Sequence, residues 1–109
     1  MYDSNEFSGK VLEIVKQIPK GKVTTYGQIA EKAGARKSSR MVGYVLNSHK
    51  GDGQFPFHRV VNRLGELTGK NYFPTPNAMK EMLQSEGVKF IGDAVDMKNH
   101  LWIPKFLDE

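Results

Sequence analysis

The fold turns on the stretch Val23-Thr24-Thr25-Tyr26-Gly27-Gln28-Ile29-Ala30-Glu31-Lys32-Ala33-Gly34-Ala35-Arg36-Lys37-Ser38-Ser39-Arg40. Thr25 followed three residues later by Gln28 has the form of a capping box, so a helix is expected from Tyr26 to Lys32, with Ile29, Ala30 and Ala33 on its inner face. Gly34 stands where a glycine ends a helix by entering the left-handed region. Gly34-Ala35-Arg36-Lys37 then makes a four-residue turn. Ser38 or Ser39 caps a second helix that runs to about Ser48, with Val42, Val45 and Leu46 turned inward and Gly43 permitting close approach of another backbone. Two short helices joined by a tight glycine-containing turn form a helix-turn-helix unit.

Upstream, Phe7, Val11, Ile14, Val15 and Ile18 recur at helical spacing, which predicts a helix over 4–18 opened by the Asp3–Glu6 capping box and ended by Pro19. Lys20-Gly21-Lys22 is a turn, and Val23-Thr24-Thr25 is a short strand or an extended lead-in. Downstream, His49 to Gln54 is a polar, glycine-rich loop. Phe57 to Val61 and Glu66 to Thr68 flank the turn-like Asn62-Arg63-Leu64-Gly65, so a β-hairpin is expected there, serving as the wing of a winged helix. Thr75-Pro76 has the pairing that starts a fourth helix, apolar at Met79, Met82 and Leu83 and stopped by Gly87. The tail through Trp102, Ile103 and Pro104 reads as irregular, with one short strand at most. The expected fold is mainly α with a small β-hairpin, a single winged helix-turn-helix domain over 1–109.

With 109 residues, 39% hydrophobic and 26% charged, the chain has the balance of one small globular domain rather than of a disordered or fibrous protein. No run approaches the ~20 apolar residues that span a bilayer, and the first residues have neither a basic nor an apolar leader region. No membrane association is expected, and a bacterial cytoplasm is the expected compartment. The absence of cysteine removes disulfides, thiolate nucleophiles and sulfur ligands for zinc. The net charge of +4 hides an asymmetry: residues 16–70 carry eleven basic and three acidic side chains, net +8. A cationic excess gathered around a helix-turn-helix points to a polyanionic partner.

Arg36, Lys37, Ser38, Ser39 and Arg40 put three cations and two hydroxyls beside the free backbone N–H groups of a helix start, which suits phosphate contacts. Lys20, Lys22, Lys32, Arg59 and Arg63 would extend the same face. His49, His58 and His100 lack ligand spacing, so no metal is expected. Gly65, Gly69 and Lys70 do not make a Walker loop, and no nucleotide or other cofactor is expected. No nucleophile elbow supports a hydrolase.

Pro56-Phe57-His58-Arg59-Val60-Val61, together with Val23 to Ala30 and Arg40-Met41-Val42-Gly43, resembles the DNA-binding, active-site domain of the O6-alkylguanine-DNA alkyltransferases over essentially the whole chain. That family carries its alkyl-acceptor cysteine between the proline and the histidine, where this sequence has Phe57. An aromatic residue there is the mark of the alkyltransferase-like proteins, in which tryptophan is the more familiar occupant.

The resemblance implies a non-enzymatic damage sensor. It would bind O6-alkylguanine in double-stranded DNA through the minor groove as a monomer, flip the nucleotide without repairing it, and present the lesion to nucleotide excision repair proteins. Arg40 is similar to the arginine that fills the space left by the flipped base, and Tyr26 to the tyrosine that crowds the target's 3′ phosphate. The resemblance places the lesion pocket at Tyr26, Phe57, Val60, Asn62 and Lys70. It gives His58 an inward structural role, and Arg59 a role in orienting the loop through polar contacts. The competing reading of the same helices is a sequence-specific winged-helix transcription regulator.

Overall fold

Pro19 decides how the chain leaves its first helix. The computed structural model describes residues 4–104, and α1 spans Ser4–Lys16. The expected helix ran two residues further. Gln17 and Ile18 instead donate to the carbonyls of Ile14 and Val15, at 3.0 and 3.2 Å, because a residue before proline is pushed out of the α region and the last turn tightens. The Asp3 half of the predicted capping box lies outside the described residues. Phe7, Val11, Ile14, Val15 and Ile18 are all buried, as the periodicity requires.

The strand β1 (Thr24–Thr25) leads directly into α2 (Tyr26–Lys32), whose first turn is held by the Gln28 N–H donating to Thr25 Oγ1 at 3.0 Å. Gly34 adopts φ +86°. Its N–H reaches the Glu31 carbonyl and that of Ala35 the Ala30 carbonyl, the paired bonds of a Schellman stop. After the turn, α3 (Ser39–Ser48) buries Val42, Val45 and Leu46 against α1 and α2. Ser38 occupies the cap position, but its side chain makes no capping hydrogen bond.

The expected hairpin does not form. Residues Phe57–Arg59 make a 3-10 turn, and β2 (Val60–Val61) pairs in parallel with β1, Thr24 opposite Val60 and Thr25 opposite Val61. Glu66 to Thr68 is not a strand, because the Asn62 side chain takes the backbone groups that a hairpin ladder would need. Asn62 Oδ1 accepts from the N–H of Leu64 at 3.0 Å and of Glu66 at 2.8 Å. The result is a tight turn, closed by the Gly65 N–H on the Asn62 carbonyl.

Alternation along β2 joins two cores. Val60 packs with α1, α2, α3 and Phe57, while Val61 packs with Val23, Met79, Leu83, Val88 and Val95. The fourth helix, α4 (Ala78–Ser85), starts two residues later than Thr75-Pro76 predicts. Those residues form a preceding turn, closed by the Ala78 N–H on the Thr75 carbonyl. Its C-terminus repeats the Schellman stop, with Gly87 at φ +88°.

The tail is more ordered than its sequence suggests. Strands β3 (Phe90–Ile91) and β4 (Ala94–Val95) form a small antiparallel hairpin, and α5 (Met97–His100) follows. The chain then returns beside Val23, which donates to the His100 carbonyl and accepts from the Trp102 N–H. Among the described residues no helix is long and apolar enough to cross a membrane.

Candidate nucleic-acid interface

Tyr26 opens α2, Ser39 and Arg40 open α3, and Asn62 opens the turn after β2. The parallel pairing of β1 with β2 brings these three chain segments side by side. They line an open cleft of about 840 Å³ together with Gly43, Tyr44, Asn47, Thr68 and Tyr72. A smaller recess of about 420 Å³ continues it from Tyr26 and Ser39 to Arg63 and Leu64 at the tip of the Asn62 turn. Arg36 and Lys37 are exposed on the turn before α3 and line neither recess. Ser38 sits half-buried at the cap.

Of the further cations assigned to this face by sequence, Arg63 lines the recess. Lys22 is turned to the Asn99 carbonyl, and Lys32 lies in a groove between α1 and α2. Arg59 is engaged by Glu86.

A second cleft, of about 660 Å³, lies around Phe57. Phe57 is 5% exposed and stacks on Phe55, their ring centres 5.5 Å apart and their planes 25° from parallel. Phe55, Pro56, Tyr72, Phe73, Pro74 and Met82 complete a largely apolar wall, and Gly51 to Gln54 with Lys16 supply its polar side. Met82, expected on the buried face of α4, is instead 39% exposed and faces this cleft, while Met79 and Leu83 hold the helix to the core.

Of the five residues assigned to the lesion pocket by sequence, Phe57 lines this cleft, Tyr26 and Asn62 line the cleft at the helix-turn-helix, and Val60 and Lys70 line neither. Val60 is 1% exposed in the first core, because its strand position points it inward. Lys70 stands in a separate polar recess with Glu66, Asn77, Lys80 and Asp93, carried there by the turn Lys70–Tyr72.

Tyr72, which sequence reasoning missed, lines both the Phe57 cleft and the Tyr26–Arg40 cleft. Its hydroxyl donates to the Gly43 carbonyl at 3.4 Å. Burial first, then the charge and hydrogen bond of Tyr26, push its phenol up to about 12, so it remains a donor at neutral pH. The two tyrosines meet over Gly69, where a Cβ would lie 3.0 Å from the Tyr72 ring and 3.2 Å from the Tyr26 hydroxyl. Gly69, three residues before Tyr72-Phe73, is a feature of the sequence that could have marked this place.

Behind Phe57, Glu86 gathers the turn. Arg59 donates from Nε and Nη2 to the Glu86 carboxylate at 3.0 and 2.8 Å, and from Nη1 to the Ile18 carbonyl at 2.8 Å. His58, 6% exposed, lies with Nε2 2.9 Å from the same carboxylate. Burial alone would raise the Glu86 pKa, but the hydrogen bonds and charges of Arg59 and His58 outweigh it and hold the group at about 2. An ionised carboxylate only accepts, so His58 Nε2–H is the donor. Nothing in the sequence marked Glu86, which follows β2 by a whole helix. Among the described residues no three potential ligands gather into a metal site.

A basic helix-turn-helix whose leading edge forms a tyrosine-flanked cleft, set beside an aromatic recess, defines a DNA-binding module. Residues 6–88 match the family described as 6-O-methylguanine DNA methyltransferase, DNA binding domain, and the chain belongs to that family. It is 38% identical over 105 residues to the DNA base-flipping protein of Escherichia coli strain K12, covering 94% of this chain and 78% of that protein. It is 31% identical over 105 residues to Alkyltransferase-like protein 1 of Schizosaccharomyces pombe, covering 92% of this chain and 97% of that one.

Among solved structures it is similar to S. pombe Atl1 in complex with damaged DNA containing O6-carboxymethylguanine, with TM-score 0.83 and 30% identity over 95% of this chain and all of that chain. A variant of the Mycobacterium tuberculosis O6-methylguanine methyltransferase superposes with TM-score 0.60 and 31% identity, over 80% of this chain and 52% of that one.

Proposed function

We propose that this protein binds O6-alkylguanine in duplex DNA, extrudes the damaged nucleotide from the Tyr26–Arg40 cleft toward the Phe57 cleft, and transfers nothing. The observation that carries this reading is Phe57 itself. In a sequence without cysteine, an aromatic ring stands between Pro56 and His58, the position that the motif resemblance equates with the acceptor of the methyltransferases, and it lines a cleft beside the basic helix-turn-helix. No nucleophile is there for His58 to activate, and its Nε2–H is committed to Glu86.

Flipping a nucleotide costs a few kcal/mol of unstacking, which an inserted side chain offsets in part. Arg40, exposed at the start of α3, is the side chain for that space, and Tyr26 presses on the backbone beside it. With base identity read in the cleft, the α3 face lies along the minor groove, whose edge pattern is degenerate. The Asn62–Glu66 turn takes the place of a wing, and the protein acts as a monomer of one domain. A lesion that is bound but not repaired needs another system to remove it, so the complex serves as a mark for nucleotide excision repair.

The test is affinity for random-sequence duplexes with and without one O6-methylguanine, across a salt series. The expected result is preference for the lesion at every salt concentration, over a non-specific affinity that falls steeply with salt. Equal affinity for both duplexes, with discrimination among undamaged sequences, would instead identify a transcription regulator.

A further inference from the structure

The charged side chains around the Phe57 cleft are not equivalent. Four of them line it: Lys16, Asp52, His58 and Arg59. His58 and Arg59 are spent on Glu86 and the Ile18 carbonyl, at distances of 2.8 to 3.0 Å. Asp52 Oδ1 accepts the Gln54 N–H at 3.0 Å, within its own loop. Lys16, on the last turn of α1, is exposed and makes no ion pair with any described residue. Its ammonium therefore stands without a salt-bridge partner among the described residues, beside a wall made of Phe55, Phe57, Phe73 and Met82 whose one lining carboxylate, Asp52, is turned into its own loop.

Such a cleft offers two different things to a substituent on the O6 atom of guanine. The rings and Met82 bury its methylene groups. A cation at the rim discriminates by charge, because attraction is stronger where one side of the pair is bounded by low-dielectric protein. The cations of the helix-turn-helix, Arg36, Lys37 and Arg40, do not line this cleft.

We infer that the Phe57 cleft favours O6 substituents that end in a carboxylate over neutral ones of the same size, and that Lys16 is the residue that makes this selection. The inference rests on the lesion-binding reading above and adds the substrate class to it. An exposed ion pair is worth a few tenths of a kcal/mol to about 1, which corresponds to roughly a two- to fivefold preference.

The experiment measures binding of three otherwise identical duplexes, carrying O6-carboxymethylguanine, its neutral isostere O6-carbamoylmethylguanine, or guanine. The proteins are the wild type, Lys16→Gln and Lys16→Arg. Taking the ratio of the two lesion affinities cancels any contribution of Lys16 to the phosphate backbone. The wild type is expected to prefer the carboxylate two- to fivefold, Lys16→Arg to retain that ratio, and Lys16→Gln to bind both lesions alike.

A ratio near one in the wild type, or the wild-type ratio surviving in Lys16→Gln, overturns the assignment while leaving lesion binding intact. If all three duplexes bind the wild type equally, the lesion reading itself fails and this inference with it. Matching thermal unfolding curves for the three proteins, expected for an exposed residue at a helix end, exclude a folding origin for the change.

Discussion

Glu86→Gln removes one charge from the contact that ties the C-terminal end of α4 to the Phe57–Arg59 turn. In the folded protein the carboxyl is held at about 2 against its ordinary 4.5. Its side chain is only 12% exposed, so solvent screening is slight. A group whose pKa is depressed on folding contributes stability above its unfolded pKa and loses it as the pH falls through the folded value. The contribution is therefore complete above about pH 5, fades between 4.5 and 2, and amounts to roughly 3 kcal/mol at 1.36 kcal/mol per pKa unit.

Glutamine keeps the shape and one acceptor but leaves the Arg59 guanidinium, 16% exposed, without its countercharge, a loss of the same order. Urea unfolding of both proteins between pH 7 and pH 2 is the assay. The variant should be less stable by roughly 3 kcal/mol at pH 7, and the gap should close as the wild-type carboxylate takes up its proton. A gap below ~1 kcal/mol at neutral pH, or one that stays constant down to pH 2, would refute the reasoning.

Arg40→Ala should weaken lesion binding about tenfold or more with an unchanged melting curve, since Arg40 is exposed; a fluorescent base at the lesion that still reports full extrusion would remove Arg40 from the role. Gly65→Ala should cost about 3 kcal/mol or more, because at φ +82° its Cβ would lie 2.7 Å from the Val95 carbonyl oxygen. Gly51→Ala, at φ +89° with open space around it, should cost only about 1 kcal/mol, and similar losses in the two variants would show that the contact at Val95 is unimportant. Phe57→Cys should lose the stack on Phe55 and about 3 kcal/mol of stability, and should show no methyl transfer by mass spectrometry; stoichiometric gain of one methyl group would show that sulfur was all the site lacked.

The helix-turn-helix was legible because its signals act within one turn of the chain. Thr25 caps the third N–H beyond it, and Gly34 and Gly87 stop helices whose last carbonyls are three to five residues away. The exceptions have local causes too, Pro19 tightening the end of α1 and Pro76 opening a turn before α4. The hairpin failed because an Asn-x-x-Gly turn between Val60-Val61 and Glu66-Leu67-Thr68 is compatible with two outcomes. Choosing between them required knowing that Thr24–Thr25 stands ready as a parallel partner some 36 residues upstream.

By itself, the sequence determined the two helices of the basic unit, the helix that precedes them, and the absence of any thiol. It also determined the substitution of Phe57 between Pro56 and His58 on which the functional reading rests. Only the tertiary structure decided that Glu86 holds His58 and Arg59, that Tyr72 stands between two clefts, that Val60 and Lys70 stand apart from them, and that Lys16 borders the aromatic wall. Caps, stops and residue identity are written at separations of a few residues, where backbone geometry fixes who meets whom. Two-residue strands have no period to read, and an ion pair 27 residues apart in sequence exists only after the cores between its partners have closed.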